Sequence, residues 1–104
     1  MNFKELAANL GLEEEEYREL IELFIQSGAD DLQKIVDGMA AGNADQVMRA
    51  AHTIKGAAGN LGIEAVSAAA RVIEAGADNN QLNELSEAVH TLQHLFKAIS
   101  AGGA

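Results

Sequence analysis

Three histidines, His52, His90 and His94, are the side chains of this 104-residue chain best suited to chemistry at neutral pH. An unperturbed imidazole gains or loses its proton near neutrality, and it can act as a nucleophile, a base or a metal ligand. The chain has no cysteine, which excludes thiolate nucleophiles, disulfides and cysteine-based zinc or iron–sulfur sites. The histidines are therefore the first candidates for a reactive group.

His90 and His94 are four residues apart on the last predicted helix, opposite the apolar stripe that contains Leu92. This spacing can hold a metal ion, but no Glu-x-x-His pair accompanies it to supply further ligands. We therefore interpret both histidines as solvent-exposed surface residues and predict no metal site. A helical metalloenzyme built on His90 and His94 is an alternative of a different class.

His52 lies on a predicted helix with an unusual outward face. With the apolar stripe of this helix at 0°, His52 lies at about 140°, Lys55 at about 80°, Gly56 at about 180° and Gly59 at about 120°. Two glycines inside a helix destabilise it by about 2 kcal/mol, and glycines that serve close helix packing belong on the apolar stripe. Their position away from the stripe predicts that an external partner approaches the backbone beside His52.

The segment around His52 is mildly basic within an acidic chain. Residues 46–73 contain Arg49, Lys55 and Arg71 against Glu64 alone, whereas the whole chain has a net charge of −9 at pH 7. This local positive charge favours the binding of a negatively charged group, and a phosphoryl group is the obvious candidate. Imidazole nitrogen can attack phosphorus, and a lysine ammonium can offset the negative charge of the phosphoryl oxygens. The residues predicted to contact the partner are Met48, Arg49, Gly56 and Gly59.

A hairpin about Gly62 is expected to bring a carboxylate to His52. His52 is ten residues before this turn and Glu74 is twelve after it, so the two residues should lie side by side. A carboxylate there could accept the Nδ1–H of His52, which fixes the tautomer and leaves Nε2 free. Glu74 could equally be an ordinary solvated helix residue.

The elements that position these residues are predicted to be helices, because proline is absent and Ala, Leu and Glu dominate. After a short opening segment, apolar spacing predicts helices over residues 13–40, 44–60, 63–76 and 81–100, with a polar loop over 76–80. The apolar face of the long helix comprises Tyr17, Leu20, Ile21, Phe24, Gly28, Leu32, Ile35 and Met39. Because Gly28 lies on that face, we expect another helix to approach closely there.

An all-α fold, an antiparallel four-helix bundle with a short additional N-terminal helix, buries these stripes most simply. We predict one domain over residues 1–104, with a frayed tail at about 101–104. The net charge of −9 argues against nucleic-acid and anionic-membrane partners. No apolar run approaches the ~20 residues of a membrane span, so we expect a cytoplasmic protein. The net charge of −9 and the single exposed functional face favour a monomer.

The run Ala51–Gly62, AHTIKGAAGNLG, resembles the His-x-x-Lys-Gly signature of histidine-containing phosphotransfer (HPt) domains of bacterial phosphorelays. It is also similar to the phosphoacceptor domain of chemotaxis-type histidine kinases, and the resemblance covers nearly the whole chain. It implies that His52 accepts a phosphoryl group from the aspartyl-phosphate of one receiver domain and passes it to an Asp of another. Lys55 would contact the phosphoryl oxygens and Gly56 would leave room for the receiver.

The resemblance also implies that Glu74 occupies the position of a Gln or Glu that orients the histidine. Ala57 stands where family members often have Ser, which removes a hydroxyl and leaves the signature intact. The implied partners are receiver domains of response regulators or hybrid histidine kinases. The Mg²⁺ for the transfer would be held by the receiver, so this chain is expected to need no cofactor.

The implied activity is that of a phosphocarrier without autokinase activity. No Gly-rich nucleotide loop or ATP-binding domain fits in the rest of the chain. A close alternative is the phosphoacceptor domain of a chemotaxis-type or hybrid histidine kinase. An alternative of a different class is a phosphorylation-independent helical adaptor that docks proteins through the face from Met48 to Gly59.

Overall fold

The computed structural model describes residues 2–101, and all the regular secondary structure in this part of the chain is helical. The helices are α1 (Phe3–Asn9), α2 (Glu14–Ala41), α3 (Ala44–Asn60), α4 (Glu64–Asp78) and α5 (Ser86–Ser100), with a 3-10 turn at Leu82–Glu84. The all-α prediction and the short first helix are confirmed. Within residues 2–101 no helix is long and apolar enough to span a bilayer. Residues 102–104 of the expected frayed tail lie outside the described part.

The connection between α2 and α3 lies between the helices predicted over residues 13–40 and 44–60, and it is formed by Gly42 and Asn43. Gly42 follows α2 with a φ of 68°, a left-handed conformation that glycine adopts without strain from a Cβ. The side chain of Asn43 then accepts a hydrogen bond from the backbone N–H of Gln46 and caps the start of α3. This short connection leaves α2 and α3 packed against each other.

A hydrogen bond from Tyr17 of α2 stabilises the turn between α3 and α4. Gly62 has a φ of 75°, and the N–H of Ile63 donates back to the carbonyl of Ala58 at 2.9 Å. Tyr17 is fully buried, and its hydroxyl donates to the carbonyl of Leu61 at 2.5 Å. The Tyr17 hydroxyl satisfies a carbonyl at the end of α3 that the helix itself leaves without a partner.

The four long helices surround one core. Helix α2 packs against α3 and α5, α4 packs against α3 and α5, and α1 lies on α2. The largest fully buried side chains are Tyr17, Ile35, Val47, Ile54, Val66, Ile73 and Leu92. A Cβ on Gly28 would overlap the ring of Phe96, which stacks on Phe24 with ring centroids 5.2 Å apart. The close approach predicted at Gly28 is therefore confirmed, and the approaching helix is α5.

Helix α4 is longer than predicted. The prediction that a loop begins at Gly76 is wrong, because α4 continues to Asp78 and Gly76 is buried. The side chain of Leu85 fills the space that a Cβ on Gly76 would occupy, so this glycine serves close packing. The turn comes at Asn80, whose φ of 57° is left-handed, a conformation that asparagine tolerates.

The last helix begins later than predicted. The expected start at residue 81 is wrong, because Leu82–Glu84 form a 3-10 turn and α5 starts at Ser86. The N–H of Leu85 donates to the carbonyl of Leu82 at 3.1 Å, which closes this tight turn. The tighter winding brings Leu85 onto Gly76, and the apolar spacing alone could not distinguish it from an α-helical turn.

One residue assigned to the apolar face of α2 is not buried. Leu20 is 39% exposed, whereas Tyr17 and Phe24 on the same helix are buried. Leu20 lies about 40–60° around the helix from these two residues, at the edge of the arc that faces the core. The expectation that Leu20 belongs to the core is therefore wrong.

Candidate functional site

His52 projects outward from the middle of α3. The opposite side of this helix is anchored in the core by Val47, Ala51, Ile54 and Ala58, all of which are buried. The His52 side chain is 68% exposed. The outward position predicted from the helical spacing is confirmed, so a molecule in solution can reach the imidazole.

Glu74 of α4 contacts the imidazole from the side. The His52 Nδ1 lies 2.6 Å from Glu74 Oε2, and the Glu74 side chain is 21% exposed. The prediction that the hairpin places these two residues side by side is confirmed. Because a carboxylate can only accept here, Nδ1 carries the hydrogen and donates it, and the lone pair of the neutral ring is on Nε2.

Lys55 contacts the second oxygen of the same carboxylate. Its Nζ lies 2.5 Å from Glu74 Oε1, and its side chain is 29% exposed. The backbone carbonyl of Lys55 also accepts a hydrogen bond from Ser67 of α4. The spacing of α3 indicated that Lys55 and His52 share a face, but it gave no sign of this ion pair. Glu74 therefore bridges the imidazole and the ammonium group.

The pKa of Glu74 is lowered from its usual value. The hydrogen bond from Lys55 contributes most, and the hydrogen bond from His52 acts in the same direction, whereas partial burial opposes both. Glu74 is therefore ionised at neutral pH. An ionised carboxylate beside Nδ1 stabilises positive charge on the ring, which develops when Nε2 forms a bond to an electrophile.

Gly56 and Gly59 are both exposed and both helical. A Cβ on Gly56 would have no neighbour within 4 Å, and a Cβ on Gly59 would lie 3.7 Å from Ser67 Oγ, an ordinary contact. Gly38 of α2 shows the opposite environment, because a Cβ there would lie 2.7 Å from Val47. The prediction that Gly56 and Gly59 are not packing glycines of the fold is therefore confirmed.

A shallow cleft beside His52 is lined by Met48, Arg49, Thr53 and Glu74. Met48 is half-buried and packs against the core, whereas Arg49 is exposed and pairs with Asp45 at 2.9 Å. Thr53 was not among the predicted residues, and its hydroxyl donates to the carbonyl of Arg49 at 3.1 Å. Its place next to His52 in the chain was the signal that could have indicated it.

His90 and His94 lie on α5, and both are exposed as predicted. Among residues 2–101, no three histidine, aspartate or glutamate side chains group together as a bound metal ion would require. The structure therefore gives no support to a metalloenzyme built on these two histidines.

Comparison with known protein families gives one match that covers most of the chain. The family model of the Hpt domain matches residues 19–102, a range that includes all of α3, α4 and α5. The comparisons with curated proteins and with solved structures give no match. The matched range contains His52, Lys55 and Glu74 and covers most of the chain. The chain therefore belongs to the Hpt domain family, whose members are phosphocarriers in two-component signalling.

Proposed function

We propose that this domain is a phosphorelay intermediate in which His52 carries the phosphoryl group. It accepts the group from the aspartyl-phosphate of one receiver domain and passes it to an aspartate of another. The observation that carries this proposal is the 2.6 Å contact between His52 Nδ1 and Glu74 on an otherwise exposed ring. That contact leaves Nε2 as a nucleophile directed to the surface.

The proposed transfer is a displacement at phosphorus. The lone pair of His52 Nε2 forms the new N–P bond, and the O–P bond of the aspartyl-phosphate breaks, so that its electron pair leaves with the aspartate carboxylate. The Nδ1 proton stays on the ring and remains hydrogen-bonded to Glu74. The reverse steps deliver the phosphoryl group to the second receiver. Lys55, whose ammonium lies on the same side of α3, offsets charge on the phosphoryl oxygens.

We propose that the receiver docks on the exposed face of α3 around His52. Gly56 follows His52 by one helical turn, and the open space above its backbone leaves room for the loops around a receiver aspartate. Gly59 extends this bare surface by another turn. Met48 and Arg49 flank the imidazole on the other side, where Arg49 presents a positive charge.

We infer that α2 to α5 form an antiparallel four-helix bundle, since three short connections join helices that pack together in sequence. The domain would act in the cytoplasm. It would be a monomer, because copies with a net charge of −9 repel one another. The Mg²⁺ for the transfer would belong to the receiver, and the domain would have no autokinase activity.

A reconstituted relay tests this function. A receiver domain charged with radiolabelled acetyl phosphate is mixed with the domain, and a second receiver is then added. We expect label to appear on the domain as an acid-labile, base-stable phosphate and then to move to the second receiver. The His52→Gln variant should carry no label, while His90→Gln and His94→Gln should behave as the wild type. A domain that binds receivers but never carries label would be an adaptor, and the proposal would be wrong.

A further inference from the structure

A groove away from His52 has no part in the proposed transfer. It lies where α1, the first turn of α4 and the last two turns of α5 meet, and its volume of about 390 Å³ is within the range of protein sites that bind ligands. The groove shares no residue with the cleft beside His52. Gly62, at its edge, follows His52 by about 15 Å along the direction of α3. A molecule in this groove therefore leaves the imidazole accessible.

The position of α1 creates the groove. Helix α1 packs chiefly on α2, through the buried side chains of Phe3 and Ala7, and leaves a gap beside α4 and α5. Its Leu6 reaches the turn between α3 and α4, where a Cβ on Gly62 would lie 3.5 Å from Leu6 Cδ2. The match to the family model begins at residue 19, so this wall of the groove lies outside the matched range.

The floor of the groove is apolar. Three of its side chains are buried and two are half-buried against the core: Ile63, Val66 and Ile99, and Leu6 and Leu95. Ala65 and Ala98 are exposed at its edge, and their short side chains leave the floor uncovered. A partner that places apolar side chains here removes this surface from water.

The rim of the groove is acidic. Glu5 of α1 and Glu64 of α4 are exposed on two of its walls, and neither takes part in an ion pair within residues 2–101. None of the described residues that line the groove is Lys or Arg. This charge disfavours a phosphate backbone, an anionic lipid surface or a second copy of a chain with a net charge of −9, and it favours a cationic partner.

We propose that this groove is a docking site for a basic amphipathic segment of a partner protein. The large apolar side chains of the segment lie on the floor, and flanking lysine or arginine side chains pair with Glu5 and Glu64. The inference goes beyond the proposed function and does not depend on phosphorylation of His52. Such a segment holds the domain next to a partner while His52 stays free for a receiver.

A fluorescein-labelled helical peptide of leucine and lysine, with leucine along one face, is the probe. Fluorescence anisotropy on titration with the domain should show saturable binding that weakens as the salt concentration rises. Ala98→Arg puts a long cationic side chain into the groove at an exposed helical position, so it should weaken binding by about tenfold or more. Ala29→Arg makes the same change of charge on the exposed surface of α2, outside this groove, and should bind like the wild type.

The acidic rim is tested by milder changes. Glu5→Gln and Glu64→Gln should each weaken binding by about two- to fivefold, through the loss of an exposed ion pair. Glu87→Gln, at an exposed position of α5 outside the groove, is the control and should have no effect. A second peptide with glutamate in place of every lysine should not bind.

Four results would overturn the proposal. They are no binding of the lysine peptide, equal weakening by Ala98→Arg and Ala29→Arg, equal binding of the glutamate peptide, and a dimer in sedimentation that Ala98→Arg abolishes, which would make a second copy the occupant. None of them bears on phosphoryl transfer, which is measured separately in the reconstituted relay. There, Ala98→Arg should carry label as the wild type does, and a loss of label would contradict the independence of the groove from His52.

Discussion

His52 and Glu74 are separated by 22 residues along the chain, yet Nδ1 of the histidine and Oε2 of the glutamate lie 2.6 Å apart. The contact depends on the turn at Gly62, which returns α4 alongside α3. It also depends on the inward stripe of α3, which turns His52 to the surface. The reactive geometry is therefore a property of the α3–α4 hairpin, and changes to either helix can be tested separately for folding and for transfer.

The ion pair of Glu74 predicts a specific loss of stability in acid. Its pKa in the folded protein lies below the usual 4.5, chiefly because of the hydrogen bond from Lys55. A lowered folded-state pKa adds stability that is present above about pH 4.5 and is lost as the pH falls through the folded-state value. The melting temperature of the wild type should therefore fall more steeply below pH 4.5 than that of Glu74→Gln.

The control for this comparison is Glu19→Gln, at an exposed carboxylate in the second turn of α2. Its melting curve against pH should keep the slope of the wild type. Equal slopes for the wild type and Glu74→Gln would mean that the ion pair contributes nothing to folding in solution.

Gly56 should show opposite effects on stability and on transfer. Gly56→Ala removes backbone entropy from the unfolded state at a helical position with open space, so it should stabilise the domain by about 0.5–1 kcal/mol. Gly56→Gln should preserve or raise the melting temperature, yet slow transfer from a phosphorylated receiver, because its side chain projects beside His52. Thermal melting and transfer rates on the same variants provide the measurement.

Gly28→Ala is the matched comparison inside the fold. Its Cβ would overlap the ring of Phe96, so overpacking should destabilise the domain by about 1–3 kcal/mol. Transfer should then fall only in proportion to the unfolded fraction. If Gly56→Gln behaved in this way too, Gly56 would be a structural glycine and not part of a docking surface.

Tyr17→Phe should weaken the hairpin without touching the site. The variant leaves the carbonyl of Leu61 without the donor that it has in the wild type, which should lower the free energy of unfolding by about 1–2 kcal/mol. Urea denaturation measures this loss. The folded variant should still accept phosphoryl groups at the wild-type rate, and a stability equal to that of the wild type would show that the hydrogen bond is of no net value.

Lys55→Ala should slow phosphoryl transfer in both directions, by about ten- to a hundredfold, through the loss of a charged hydrogen-bond donor to the phosphoryl oxygens. Lys55→Arg should recover only part of the rate, because the guanidinium is larger and differently hydrated. Lys34→Ala, at an exposed lysine of α2, is the control and should transfer normally. Wild-type transfer by Lys55→Ala would contradict the role assigned to this residue.

The sequence could predict the features that follow from helical spacing and from counting residues about a turn. The outward position of His52 and its proximity to Glu74 are of this kind. The pairing of Lys55 with Glu74 is not, because it depends on side-chain conformations that spacing leaves open. The burial of Gly76 within α4 and the start of α5 at Ser86 were also not predicted, because both depend on the packing of Leu85 against α4. Long-range packing, rather than local preference, set those boundaries.

Identifying the nitrogen atom that carries phosphorus is the most direct test of the proposal that His52 Nε2 accepts the phosphoryl group. A domain labelled with nitrogen-15 at its histidines is charged by a phosphorylated receiver, and the phosphorus–nitrogen coupling is recorded by NMR. We predict coupling to Nε2 of His52, with Nδ1 of the same ring protonated, and no coupling to His90 or His94. Phosphorus bonded to Nδ1 of His52, or to either of the other histidines, would contradict the account.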